Sequence, residues 1–87
     1  MKPRASLLKL PAVLTMRAES RTTFYNKIKG GPVTPPVQLG TNSVAWPEVE
    51  IIILNEAKIA GQSDDEIRAL VCKLVAQRQN FSSAEAK

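Results

Sequence analysis

The chain has no histidine and a single cysteine, Cys72. Without histidine, imidazole acid–base chemistry is closed to it. One thiol cannot build a zinc site or an internal disulfide. A lone cysteine suits a reducing compartment, and Cys72 reads as small core filler. No stretch reaches the roughly 18 apolar residues a membrane span needs. The opening Met1-Lys2-Pro3-Arg4 is basic, but Lys9 and Pro11 interrupt the apolar segment behind it, so no secretory signal is read. Neither a phosphate-cradling glycine loop nor a serine nucleophile elbow is present. No enzyme, catalytic residue, cofactor or metal is therefore expected, and a cytoplasmic location is. Acidic residues are nearly missing from the first half. Residues 1–46 carry seven Lys/Arg against Glu19 alone, a net +6, whereas residues 47–87 carry five against seven, a net −2. Positive charge segregated in this way attracts a phosphate backbone by releasing its counterions.

Eighty-seven residues, 44% of them hydrophobic, make one small domain with a modest core. Within it, Ser20 to Gly31 reads as a complete short helix. Ser20 can cap its first N–H groups, Gly30 or Gly31 can take the left-handed turn that ends it, and Lys27 and Lys29 suit its C-terminal dipole. At 100° per residue Phe24, Tyr25 and Ile28 share one face, and Thr22, Thr23, Asn26 and Lys29 lie opposite. Hydroxyls, an amide and an ammonium without an acid can bond base edges and phosphates in a major groove. They can equally form an ordinary solvated face. A second helix is expected within Leu7–Met16, with Pro11 at its first helical position. The separating Arg17-Ala18-Glu19 has the length of the turn in a helix-turn-helix. Pro32, Pro35 and Pro36 then enforce an extended connection. Val37-Gln38-Leu39 and Val44-Ala45-Trp46 flank Gly40-Thr41-Asn42-Ser43 as a β-hairpin, placed where a wing would be.

The acidic half reads as helices. Trp46 is expected to anchor the core between hairpin and helix. Glu48 and Glu50 suit a first turn, and Val49, Ile52, Ile53 and Ile59 are expected to form a buried stripe ending at Gly61. Ser63 and Glu66 have capping-box spacing. Ile67, Leu70, Val71, Leu74 and Val75 follow at helical periodicity. That stripe has two readings: it packs on its own domain, or it pairs with a second copy in a homodimer or cooperative oligomer. The expected divisions are a flexible start at 1–6, a domain at 7–61, an amphipathic helix at 62–79 and a flexible tail at 80–87. Lys2 and Arg4 are available to phosphates.

Four pieces stand in order: Leu7-Leu8-Lys9-Leu10-Pro11-x-Val13, Ser20-Arg21-Thr22-Thr23-Phe24-Tyr25-x-x-Ile28-Lys29-x-Gly31, Pro35-Pro36-Val37-x-Leu39-Gly40 and Val44-x-Trp46-Pro47-Glu48-x-Glu50. Together they resemble the AlpA-like regulators of phages and prophages, small proteins related to excisionases. Residues 59–71 resemble the C-terminal extension of many members. Members often carry glycine and an apolar residue in the turn, where this chain has Ala18 and Glu19. The resemblance implies a mainly α fold with a small β-hairpin, a winged helix-turn-helix plus an extra C-terminal helix. It implies a sequence-specific DNA-binding regulator or excisionase-like factor at the nucleoid of a bacterial or phage-infected cell, with double-stranded DNA as partner. Thr22, Thr23 and Asn26 would then read bases, and Arg21, Tyr25, Lys27 and Lys29 would hold phosphates. Thr41, Asn42 and Ser43 would lie over the neighbouring backbone or minor groove. The competing reading is a protein-interaction module that uses the same scaffold.

Overall fold

The computed structural model describes the backbone of residues 6–85 and the side chains through residue 78. Two short helices open the chain, α1 (Leu10–Arg17) and α2 (Arg21–Gly30). Pro11 lies in the first turn of α1, one residue later than the first helical position. The end of α1 is tight. The Ala18 N–H donates to the Thr15 carbonyl and the Glu19 N–H to that of Leu14, both at 3.3 Å. This closure needs a left-handed residue, usually glycine. Here Ala18 takes it, at φ 55°. Ser20 caps α2 by accepting from the Thr23 N–H at 3.2 Å, and Gly31 ends it at φ 106°. Both follow the expectation.

The strands are β1 (Leu7–Leu8), β2 (Val37–Gly40) and β3 (Ser43–Pro47). Leu7–Leu8, ahead of the helix expected to start at Pro11, forms a strand that was not expected, the third of an antiparallel sheet ordered β1-β3-β2, with Leu8 opposite Trp46. Pairing with β3 satisfies a backbone that Pro11 prevents from joining α1 any earlier. The hairpin β2–β3 forms as expected, with Leu39 bulged out of register between Gln38 and Gly40 and half exposed.

Helix α3 (Glu48–Ile59) begins directly on β3, its first N–H donating to the Ser6 carbonyl at 2.7 Å. Its buried residues are Glu50, Ile51, Leu54 and Ala57. The expected stripe is therefore corrected: Val49, Ile52 and Ile53 are half-buried and Ile59 is exposed. α3 is apolar around much of its circumference, so periodicity alone left its facing open. Its neighbours decide that facing. Glu50 is not a solvated dipole partner, because Arg78 encloses it and makes two hydrogen bonds to its carboxylate, at 2.7 and 2.8 Å.

Helix α4 (Asp64–Glu85) starts on the expected capping box, the Ser63 N–H donating to Glu66 at 2.7 Å and the Glu66 N–H to Ser63 at 3.2 Å. Its backbone continues past residue 79. The expected loose start falls almost wholly outside the described residues, as do residues 86–87. Ile67, Val71 and Leu74 are buried against Leu54 and Ala57, with Leu70 and Val75 half-buried beside them. Of the two readings, the stripe is core, and its three buried members are not free to join protomers. Cys72 is exposed, one position off that stripe, and not core filler.

A second cluster, Val13, Phe24, Val33, Trp46 and Ile51, joins α1, α2, the sheet and α3. Trp46 is fully buried at its centre, as expected. It meets Phe24 edge-on at 5.2 Å and donates to the Thr34 carbonyl at 3.1 Å. The whole is a mainly helical protein with a small three-stranded sheet, consistent with a winged helix-turn-helix plus one added helix.

Candidate nucleic-acid interface

Phe24 anchors α2 and decides which of its residues face water. Phe24 is buried and Ile28 half-buried against the core, so the opposite side emerges. Arg21, Thr22, Thr23, Asn26 and Lys29 are exposed. Thr22, Asn26 and Lys29 have no side-chain partner among the described residues. Their donors and acceptors are free for a ligand. Thr23 is exposed but joins the cap, its hydroxyl accepting from Ser20 at 2.9 Å. Tyr25 is half-buried, edge-on to Phe24, and the Arg21 guanidinium lies 5.9 Å from its ring centre. At that distance a cation–π contact orients Arg21 along the helix start.

Lys27 behaves differently from its neighbours. It stands three residues beyond Phe24, on the flank that turns inward. There its ammonium pairs with Glu19, which also accepts from Arg17 at 3.2 and 3.4 Å. One carboxylate thus ties the end of α1 to the last turn of α2. Partial burial works to raise the Glu19 pKa, but the hydrogen bonds from Lys27 and Arg17 outweigh it. The carboxyl is held below its ordinary range. The pairing explains the charge standing in this turn: Glu19 holds the two helices by an ionic contact. It also means that Arg17 and Lys27 are committed internally.

At the hairpin, Thr41 and Asn42 are exposed and Ser43 is half-buried. The Gln38 amide donates to the Thr41 carbonyl at 3.4 Å and to that of Gly40, which holds the turn. Lys9 donates to the Ser43 hydroxyl at 2.7 Å. This supplies an ammonium at the wing, whose own turn is neutral. Lys9 was missed because it lies 34 residues from Ser43 and only β1 pairing brings it there. Among the described residues of the first half, exposed positive charge is therefore carried by Lys9, Arg21 and Lys29. The described residues hold no cluster of His, Cys, Asp or Glu fit for a metal, and no helix long and apolar enough to cross a membrane.

Comparison with known proteins bears on this surface. The family profile described as "Prophage CP4-57 regulatory protein (AlpA)" matches residues 6–52, from β1 through both short helices and the hairpin into α3. The chain is similar to "Uncharacterized protein ORF88" of Enterobacteria phage P4, with 36% identity over 55 residues. That alignment covers 63% of this chain and 62% of the relative, so the chain spans less than two thirds of that relative's length. No solved structure matches.

Proposed function

The chain belongs to the AlpA family of prophage regulatory proteins, and from that premise we infer that it acts by binding duplex DNA in a sequence-dependent way. The observation that carries this reading is the exposed face of α2. It is free of acids and presents Thr22, Asn26 and Lys29 without side-chain partners among the described residues. α2 enters the major groove, where Thr22, Thr23 and Asn26 meet base edges. Arg21 and Lys29 hold phosphates on either side, and Tyr25 steadies Arg21. Thr41 and Asn42 lie on the adjoining backbone, with Lys9 as the wing's cation. Lys27 leaves the phosphate-holding set and serves the turn through Glu19. Regulation then follows from occupancy of the site or from a bend imposed on it.

Charge counting makes this testable. Three phosphate contacts predict a slope of log affinity against log salt of about −3. Lys29→Ala lowers that slope by about one unit and weakens all duplexes alike. Asn26→Ala costs about 1–3 kcal/mol on a duplex selected from a random pool and little on scrambled DNA. Lys27→Ala leaves the slope nearly unchanged. Fluorescence titration over a salt series reads all four quantities. Affinity that ignores salt, or an absence of duplex binding, overturns the reading in favour of a protein partner.

A further inference from the structure

We propose that Arg68 of α4 is a positioning residue for the DNA-reading helix, and that α4 braces the C-terminal end of α2. The proposal rests on the DNA-binding reading above and adds to it a role for a helix outside the family-matched residues. The Arg68 Nε–H donates to the Gly30 carbonyl at 2.9 Å. That carbonyl is among the last four of α2, which have no partner within a helix. Positive charge there also meets the negative end of the helix dipole.

The arginine is itself held. Its terminal nitrogen donates to Asp65 at 3.0 Å. Its stem passes over Gly31 so closely that a Cβ there would meet Cδ at 3.3 Å and Cγ at 3.4 Å. Behind it, Ile67 and Val71 seat α4 on α3, and the Ser63–Glu66 box fixes its start. A continuous set of contacts thus runs from the core to the last residue of α2. Glu19 holds Lys27, three residues before Gly30, from the side of α1.

The geometry says why a second hold matters. Ten residues make a helix about 15 Å long. Pivoting about its first turn by roughly 5° moves its far end about 1.3 Å. That exceeds the roughly 0.5 Å width of good hydrogen-bond distances. Lys29 adjoins Gly30 and Asn26 lies one turn back, so both move when this end does. The Arg68 bond keeps them in register with the groove.

The test compares the whole wild-type chain with R68A and R68K. It uses a duplex selected by the wild type from a random pool and a scrambled duplex of equal length. Arg68→Ala is expected to lower selected-duplex affinity roughly five- to tenfold, scrambled-duplex affinity less than twofold, and to leave the salt slope unchanged. Lysine keeps the charge but lacks the Nε–H and the fork, so R68K does not restore binding. Three results overturn the proposal. Equal weakening of both duplexes with a shallower slope, rescued by lysine, makes Arg68 a direct phosphate ligand. A lowered melting temperature with unchanged affinity of the folded protein makes it a stability contact only. Wild-type and variant affinities that coincide leave it no role. Amide hydrogen exchange decides independently of DNA. In R68A the last turn of α2 should exchange more than tenfold faster while α4 is unchanged. If wild type binds no duplex, the DNA reading fails and this exchange result alone upholds or sinks the brace.

Discussion

Arg78→Ala should be the most damaging single truncation on the surface of this protein, although Arg78 looks like an ordinary solvated arginine in the sequence. Glu50 is 3% exposed, and both carboxylate oxygens depend on the Arg78 guanidinium at 2.7 and 2.8 Å. The same guanidinium donates to the Pro35 carbonyl at 2.7 Å. One side chain of α4 therefore satisfies α3 and the proline-rich connection together. Removing one partner of a buried pair costs about 3–5 kcal/mol, because the other charge stays buried and unpaired. Arg78 retains about a fifth of its exposure, so water can partly reach the vacated position. We therefore expect a value at or somewhat below the low end of that range, about 2–4 kcal/mol. A domain of this size has a total of about 5–10 kcal/mol. At about 4–8 °C per kcal/mol, the melting midpoint falls by about 8–32 °C.

Circular dichroism melts at pH 7 measure that loss, and urea titration gives the free energy. The control removes both charges. Glu50→Leu with Arg78→Leu should recover most of the lost stability, since a buried pair is often replaceable by apolar groups of similar volume. A midpoint within about 2 °C of wild type for R78A would refute the reasoning. So would a double variant less stable than R78A alone.

Three further outcomes follow from single features. Ala18→Gly relieves a left-handed alanine and should raise stability by about 0.5–1 kcal/mol; a lower melting midpoint would mean that the turn has no strain to release. Thr34 is fully buried with no partner for its hydroxyl among the described residues, so Thr34→Val should be neutral or stabilising by about 1 kcal/mol, read in the same urea titration. Glu19 has a lowered folded pKa, so its contribution is present above the ordinary value of about 4.3 and is lost as pH falls through that value and below. Glu19→Gln should therefore flatten the loss of stability below about pH 5, and an unchanged acid limb would sink the assignment.

What the sequence made visible is local. The Ser20 cap, the glycine at the end of α2 and the Ser63–Glu66 box each involve residues a few positions apart, and all three stand as read. So does the hairpin, whose turn residues adjoin its strands. The missed features join distant residues: Lys9 to Ser43, Glu50 to Arg78, Arg68 to Gly30 and Leu8 to Trp46. Twelve cations and eight acids allow many pairings, and no spacing rule selects among contacts 28 to 38 residues apart. The facing of α3 was unreadable for another reason. A helix apolar on most sides has no single stripe, so α1, β3 and α4 decide what it buries. In the candidate interface, exposure of Thr22, Asn26 and Lys29 followed from the period of α2 alone. The inward turn of Lys27 depended on Glu19, whose role emerges only once α1 and α2 are set against each other.

That dependence alters how the charge of the first half should be understood. A net +6 suggests a broadly cationic surface, yet Glu19 draws Arg17 and Lys27 into the hinge between the two short helices. The exposed cations left among the described residues of the first half stand at separate places: Arg21 at the start of α2, Lys29 at its end and Lys9 at the wing. If the proposed DNA binding holds, cations so few and spread give modest nonspecific attraction, because each phosphate contact adds one increment to the salt-dependent term. The uncharged groups between them then carry a larger share of discrimination. A regulator must find one site among very many competitors, and the ratio of specific to nonspecific binding decides that search more than affinity does. Placing the ionic pairs inside the motif serves that ratio twice. On the proposed DNA-binding reading, it stiffens the hinge that would aim Thr22 and Asn26, and it withholds two positive charges from DNA of the wrong sequence.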